Sequence, residues 1–207
     1  MRVLVLYAHP VETSFGAAIH ERVVGTLRAG GHDVDDCDLY AENFDPRLSR
    51  EERLLYHEVG ANLAPVADHV ERLRAAEALV LCFPVWNFGY PAILKGYFDR
   101  VFLPGVSFDL RGGKVYPSLK NLYRIAAVTT YGGSRMRAML AGDPPRKSVT
   151  RVLRAHVGLT TPVRYLALYD MNRATDLSCE RFLTRVGRAM AAFANDTGQS
   201  MPREVRQ

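Results

Sequence analysis

Uninterrupted apolar runs recur along the chain, and each of them predicts a strand that is buried on both faces. These runs occupy residues 3–7, 78–83 and 125–128, and residues 163–169 predict the last strand. A strand covered by helices on both faces has no polar side, so continuous apolar runs are typical of parallel sheets. Residues 33–39 (DVDDCDL) are much more polar and predict an edge strand.

Helical periodicity fills the intervals between the predicted strands. Phe15, Ile19, Val23 and Leu27 lie on one face of a first predicted helix. Ser49 ahead of Glu52 indicates another helix start. Further helices are predicted at 62–76, from Pro91 to 102, at about 146–156 and at 178–194, whereas 106–123 predicts a long irregular excursion.

Five alternating strand and helix units predict one α/β domain over residues 1–195, followed by a frayed tail at 196–207. The expected architecture is a three-layer sandwich around a five-stranded parallel sheet of order 2-1-3-4-5, with right-handed crossovers. A length of 207 residues, 48% of them hydrophobic and 24% charged, fits one domain of this kind.

Composition excludes several classes of function. No apolar run approaches the roughly 20 residues that a membrane helix needs. The opening MRVLVLYAHP is too short and wrongly flanked for a signal peptide, which favours a cytoplasmic location. The net charge of +5 comes from scattered basic residues without a nucleic-acid-binding motif, so it indicates a mild preference for small anionic ligands.

The three cysteines predict neither disulfides nor a metal site. Cys37, Cys82 and Cys179 are far apart, and no CxxC pair or neighbouring histidine cluster accompanies them. We interpret all three as small structural thiols.

Three loops are expected to meet at the carboxyl edge of the sheet, where open α/β sheets bind ligands. They are residues 9–15, 84–90 and 129–133. The first lacks GxGxxG, which disfavours a Rossmann dinucleotide site. It places Thr13 and Ser14 at a helix N-terminus, where amides and the helix dipole attract phosphate, although Ser14 serves equally as a plain N-cap.

The other two loops supply flat and narrow surfaces. Trp86 and Phe88 offer planar faces to a heteroaromatic ring, with a core or interface role as the alternative. The third loop carries hydroxyls and a glycine pair that lets a ligand approach the backbone, or it is simply a turn. A first loop that binds phosphate, a second with aromatic faces and a third with a glycine pair together describe a flavin mononucleotide site.

The motifs LVLYAHPVETSF, FPVWNFGYPAILKGYFDRVF and TTYGGS resemble the signature loops of the flavodoxin-like NAD(P)H:quinone oxidoreductases. PVWNF is also similar to the flavin-facing loop of FMN-dependent azoreductases. The likeness spans roughly residues 1–140. It implies a homodimeric flavoenzyme that binds FMN, or alternatively FAD, and passes two electrons from NAD(P)H to a quinone or azo compound by a ping-pong mechanism.

The resemblance also assigns residues to parts of the cofactor. It implies that the phosphate end is bound by His9, Thr13, Ser14 and Phe15. It implies that the ring is contacted by Pro84, Val85, Trp86, Asn87 and Phe88. It implies that the pyrimidine side is contacted by Thr129, Thr130, Gly132 and Gly133.

The chain departs from the pattern of the family that it resembles after the glycine pair. Animal quinone reductases carry a Tyr and a His there that are thought to relay charge, whereas this chain has Tyr131 before the glycines and Arg135, Met136 and Arg137 after them. No catalytic residue is therefore assigned, and His9 is read as a binding group rather than an acid. A non-catalytic flavoprotein, acting as electron carrier or regulatory subunit, is the alternative function.

Overall fold

The computed structural model describes residues 1–195, so the predicted frayed tail at 196–207 lies outside the described part. The strands are β1 (Arg2–Tyr7), β2 (Asp33–Asp38), β3 (Ala78–Val85), β4 (Phe108–Arg111), β5 (Lys114–Pro117), β6 (Arg124–Tyr131) and β7 (Val163–Leu168). Five of them form a parallel sheet of order β2-β1-β3-β6-β7. This is the predicted order 2-1-3-4-5, which is confirmed.

Helices cover both faces of this sheet. They are α1 (Phe15–Ala29), α2 (Arg50–Leu55), α3 (Ala67–Ala75), α4 (Ala92–Val101), α5 (Arg135–Leu140), α6 (Pro144–Lys147), α7 (Arg154–Val157) and α8 (Asp176–Asn195). Short 3₁₀ segments occupy Ala61–Val66 and Met171–Arg173, and a π-helical segment occupies Ser148–Leu153. Within the described residues, none of these helices combines the length and apolar character needed to cross a membrane.

Two separate cores follow from the alternation of side chains along the strands. Leu4 and Leu6 of β1 pack with α3 and α4, whereas Val3 and Val5 pack with α1 and α8. Both sets are fully buried. The predicted burial of the central strands on both faces is therefore confirmed, and β2 is the polar edge strand.

The prediction for residues 106–123 was wrong, because this segment contains a β-hairpin. Strands β4 and β5 pair antiparallel in register Phe108↔Pro117. Gly112 and Gly113 connect them with φ of 56° and 75°, the left-handed backbone that a two-residue hairpin turn requires.

Two of the predicted loops begin later than expected, because pairing continues beyond the apolar runs. Parallel pairing of β3 with β6 extends to Phe83↔Thr129, Pro84↔Thr130 and Val85↔Tyr131. Residues 84–85 and 129–131 are therefore strand residues, and only the glycine pair and the 86–90 segment form loops. Pro91 is the N-cap of α4 rather than its first helical residue.

Candidate functional site

A cleft of about 280 Å³ lies at the carboxyl edge of the sheet, between β1, β3 and β6. It brings together side chains from all three predicted loops. Its lining includes His9, Ser14, Phe15, Gly16, Pro84, Val85, Trp86, Thr130, Gly132, Met171 and Asn172. The convergence predicted from the positions of the strands is therefore present in the folded chain.

The N-terminus of α1 forms one wall of this cleft. Ser14 is the N-cap, and its Oγ accepts a hydrogen bond of 3.1 Å from the Ala17 amide. Phe15 and Gly16 occupy the first turn, where amides have no intrahelical acceptor and point outwards. A Cβ on Gly16 would lie 3.3 Å from the His9 ring, so helix and histidine are in close contact.

His9 is held in one tautomer. The Val11 amide donates to its Nδ1 at 3.1 Å, so neutral His9 carries its ring proton on Nε2. The His9 ring is tilted against Trp86, with ring centroids 5.8 Å apart. This arrangement leaves the Nε2–H of His9, a residue that lines the cleft, as a hydrogen-bond donor.

The Trp86 turn is tight and strained. Amide and carbonyl groups of Trp86 and Gly89 bond to each other at 2.9 and 3.3 Å. The two central residues, Asn87 and Phe88, have φ of 49° and 57°, and such values are unusual for a bulky aromatic residue. Trp86 and Phe88 are 43% and 44% exposed, so both rings are available for stacking.

A second cleft, of about 250 Å³, adjoins the first and shares Val85, Gly132 and Asn172 with it. Asn87, Phe88, Gly133 and Arg137 line it as well. Binding sites for small molecules typically enclose about 300–1,000 Å³, so the two adjoining clefts provide space on this scale.

Asn172 links the two clefts, and it was missed by the sequence analysis. A Cβ on Gly132 would lie 3.2 Å from Asn172 Oδ1, so only glycine fits without displacement. The Asp170 amide bonds to the Gly133 carbonyl at 2.8 Å and fixes this contact. A sequence signal for Asn172 was present, because polar residues directly follow the last predicted strand and so lie at the same edge of the sheet.

A buried polar network supports the third loop from behind. The Tyr131 hydroxyl donates to Asp143 Oδ1 at 2.6 Å and lies 2.7 Å from the Tyr165 hydroxyl. Burial, and the hydrogen bond to Asp143, raise the pKa of Tyr131 well above its ordinary value. Arg146 Nε donates to Asp143 Oδ2 at 2.9 Å, and its guanidinium lies over the Tyr165 ring.

Five predicted site residues do not line the first cleft, and three of them, Asn87, Phe88 and Gly133, line the second cleft instead. Thr13 lines a third cleft of about 640 Å³, which shares His9 and Ser14 with the first and lies on the β2 side of the α1 N-terminus. Thr129 is 1% exposed inside β6, because side chains alternate along a strand and its neighbour Thr130 faces the other side. No hydrogen-bond partner for Thr129 Oγ1 occurs among the described residues. That the predicted site residues contact a flavin stays a prediction.

The fold and the sequence together identify the family. A family model described as a flavodoxin-like fold, Flavodoxin_2, matches residues 1–189. The chain belongs to this family. The three motifs resemble those of quinone oxidoreductases, and similar proteins carry names of that class.

Among those relatives is the NAD(P)H dehydrogenase (quinone) 1 of Rattus norvegicus, which is 32% identical over 156 residues. That alignment covers 67% of this chain and 56% of the rat protein. The ribosyldihydronicotinamide dehydrogenase (quinone) of Homo sapiens is 32% identical over 151 residues, which cover 65% of each chain. The flavodoxin-like chain thus spans less than two thirds of the length of these relatives.

Solved structures share nearly the whole fold. The NAD(P)H:quinone oxidoreductase of Methanothermobacter marburgensis matches with a TM-score of 0.81 and 27% identity, over 93% of this chain and 98% of that one. An FMN-dependent NADH-azoreductase of Bacillus anthracis, solved in complex with FMN, matches with a TM-score of 0.76 and 15% identity, over 94% and 99% of the two chains. At that identity the second likeness shows the fold alone.

Proposed function

We propose that this flavodoxin-like chain is a flavin-dependent oxidoreductase that passes two electrons from NAD(P)H to a quinone or a similar acceptor. The observation that carries the proposal is the cleft lined jointly by His9, Trp86 and Gly132, one from each predicted loop. The names of the rat, human and Methanothermobacter relatives support the same reaction.

The residues of the cleft fit a flavin. The first-turn amides of α1 suit a phosphate, and the exposed Trp86 ring suits a flat heterocycle. Gly132 has no side chain, so it leaves space beside Asn172 that a larger residue would occupy. A bound flavin would supply the two-electron carrier between donor and acceptor.

FMN fits this chain better than FAD. The cleft of about 640 Å³ beside the N-terminus of α1 has room for the longer part of a dinucleotide, but Glu12, Glu21 and Asp38 are among the residues that line it. A second phosphate placed there would meet like charges, which disfavours its binding. Mass analysis of the flavin released on denaturation distinguishes the two cofactors.

The chain's own groups have separate tasks in this reaction. His9 presents its Nε2 proton at the phosphate wall, where it acts as a binding donor. With a flavin bound, the amides of Gly132 and Gly133 would donate to negative charge that develops on the pyrimidine side, as preorganised donors do in other enzymes. The Trp86 turn would cover one ring face, and the opposite face would be left for substrates.

Steady-state kinetics tests the proposed reaction. One open ring face cannot hold a nicotinamide and a quinone at the same time, since hydride transfer needs the reacting atoms about 3–3.5 Å apart. We therefore expect ping-pong kinetics, with parallel double-reciprocal plots at several fixed quinone concentrations. Intersecting lines would overturn the shared-site mechanism. Tight flavin binding with no NAD(P)H oxidation would favour the electron carrier or regulatory subunit instead, and a protein that binds no flavin would refute both.

We also propose that the enzyme is a homodimer. An apolar groove of about 270 Å³ lies between α4 and the 148–156 helical segment, lined in part by Tyr90, Phe98, Phe108 and Val152. Tyr90 directly follows the Trp86 turn, so a second subunit seated in this groove would border the cleft. Exposed apolar surfaces of this kind commonly bind a partner.

A further inference from the structure

Three metal-binding side chains meet near the carboxyl end of β2, outside the clefts described above. Cys37 Sγ lies 3.6 Å from Glu42 Oε2 and 4.0 Å from His69 Nδ1. All three ligand atoms lie within 4.8 Å of one another. In a tetrahedral zinc site, with Zn–S about 2.3 Å and Zn–N about 2.0–2.1 Å, the S···N edge is roughly 3.6 Å. The observed S···N separation of 4.0 Å therefore needs to contract by about 0.4 Å.

We propose that Cys37, Glu42 and His69 form a binding site for a zinc-class divalent metal, with water in the fourth position. A thiol, an imidazole and a carboxylate are a ligand set that suits zinc, whereas magnesium and calcium select oxygen ligands alone. On binding, the metal takes the place of the Cys37 thiol proton, and that proton is released to solvent.

The three ligands are held by separate parts of the fold. Cys37 lies near the end of β2, Glu42 lies in the turn that follows this strand, and His69 lies on α3. The turn is fixed by a hydrogen bond of 2.9 Å from the Glu42 amide to the Asp38 carbonyl. The His69 ring is packed edge-on against Phe44, with centroids 4.9 Å apart. A metal there would join the sheet edge to α3.

The ligands differ in burial, since Cys37 is buried and His69 is half-buried. Glu42 is exposed and gives an ion access from solvent.

Basic side chains pair with the carboxylates around the site. Arg72 donates to Glu42 Oε2 at 2.7 Å and to Asp35 Oδ1 at 2.7 Å, and Arg2 Nη2 lies 3.5 Å from Asp35 Oδ2. A Cys37 thiolate would add a negative charge that faces the bound ion. Ligating carboxylates in metal sites are generally hydrogen-bonded in this manner by outer residues. The Tyr97 hydroxyl, which belongs to the same buried cluster, has no partner among the described residues.

The sequence gives little sign of this site, because Cys37 and His69 are 32 positions apart. The absence of a CxxC pair therefore led to the prediction of three structural thiols, and only the packing of α3 against β2 places a histidine beside the first of them.

Metal titration of the full-length protein tests the proposal. After treatment with a chelator, the protein is titrated with Zn²⁺ against a chromophoric competitor, and separately with Co²⁺. We expect one ion per chain and a thiolate-to-cobalt charge-transfer band. His69→Gln is expected to weaken zinc binding by at least about 10–100-fold, the loss typical even of outer-shell changes. Cys37→Ser is expected to abolish the cobalt band.

Cys82→Ser is the matched control, because Cys82 is equally buried but lies on β3 away from the cluster. It should retain the cobalt band and the zinc affinity of the unmodified protein. If circular dichroism shows that Cys37→Ser is unfolded, Glu42→Gln is the deciding variant. Glu42 is exposed, so its substitution should weaken zinc binding without loss of the fold. Absence of stoichiometric zinc binding, or equal affinity in the folded ligand variants, would overturn the proposal.

Discussion

Some side chains at the candidate site have an observed role in the fold besides their proposed role in ligand binding, and Ser14 is the clearest example. Its Oγ already accepts the Ala17 amide, so the plain N-cap role is present in the structure. A hydroxyl that accepts one hydrogen bond still has its own proton to donate. Ser14 is therefore able to cap α1 and to donate to a phosphate in the cleft.

Ser14→Gly separates these two roles. Glycine is nearly as good an N-cap as serine, so the free energy of unfolding should fall by only about a few tenths of a kcal/mol. Loss of the hydroxyl should weaken flavin binding by roughly 1–3 kcal/mol, the range for hydrogen bonds to charged groups. Fluorescence titration with FMN and thermal unfolding measure the two effects, and Ser14→Ala should reduce both. Unchanged FMN affinity in Ser14→Gly would leave Ser14 as a cap only.

The structure also distinguishes between the basic residues that follow the third loop. Arg146 is engaged by Asp143 and by the Tyr169 hydroxyl, at 2.9 Å each. Arg137 lies beside Gly133 in the second cleft and forms no ion pair within residues 1–195. Arg137 thus combines a place in the cleft with a guanidinium that no carboxylate of the described residues engages, so it is available to an anionic substrate.

Arg137→Gln should raise the KM for NAD(P)H by about two- to fivefold, since exposed charge pairs contribute about 0.2–1 kcal/mol. The effect should shrink at high salt, because screening weakens exposed charges. Arg135→Gln is the matched control, as Arg135 is exposed on the same helix but does not line the cleft. Equal KM changes in both variants would indicate a general effect of net charge.

At the scale of elements, a close backbone contact joins α4 to the segment before α2. A Cβ built on Gly96 would overlap the backbone of Pro46, so glycine is required at this helix position. Arg100 reinforces the contact, donating to Glu52 Oε1 at 2.6 and 2.8 Å and to the Asp45 carbonyl. Glu52 in turn completes the capping box of α2 with Ser49. The start of α2 is thereby tied to the helix that follows the Trp86 turn.

Gly96→Ala should destabilise the fold by about 1–3 kcal/mol, the usual cost of overpacking. Gly25→Ala is the control, because a Cβ there meets nothing within 4 Å in the exposed interior of α1. That change should stabilise the protein by up to about 1 kcal/mol, since alanine favours helix. Urea unfolding measures both, and a neutral Gly96→Ala would show that the segment around Pro46 shifts easily.

At the scale of the whole molecule, the aromatic residues near the Trp86 turn divide between the core and the apolar groove. Tyr97 and Phe102 are 0% and 5% exposed and belong to the core rather than to an interface. Tyr90, Phe98 and Phe108 are half-buried along the apolar groove. The proposed dimer interface therefore rests on this groove and on Val152, which is 58% exposed.

Val152→Glu should dissociate the proposed homodimer, because a carboxylate buried between subunits would lose its hydration without a partner. Light scattering at micromolar concentration measures the mass. Leu159→Glu is the control, since Leu159 is 77% exposed and lies outside the groove. A monomeric unmodified protein that retains full activity would contradict the proposal.

The sequence by itself determined the sheet order, the two-sided burial of the central strands and the three loops at the carboxyl edge. Local information suffices for these features, because apolar runs and helical periodicity are read over a few residues and right-handed crossovers then restrict the topology. The outer hairpin β4–β5 was missed because its strands are short and its side chains largely exposed, so they show no strong apolar pattern.

Only the tertiary structure decided which of the predicted residues share a cleft. Thr129 is buried and Thr130 exposed to the cleft because pairing with β3 extends the strand, and the pattern of one strand does not reveal that pairing. Asn172 meets Gly132 across 40 positions of sequence, and His69 meets Cys37 across 32. Contacts between distant segments depend on how the layers pack, and no local sequence pattern encodes that packing.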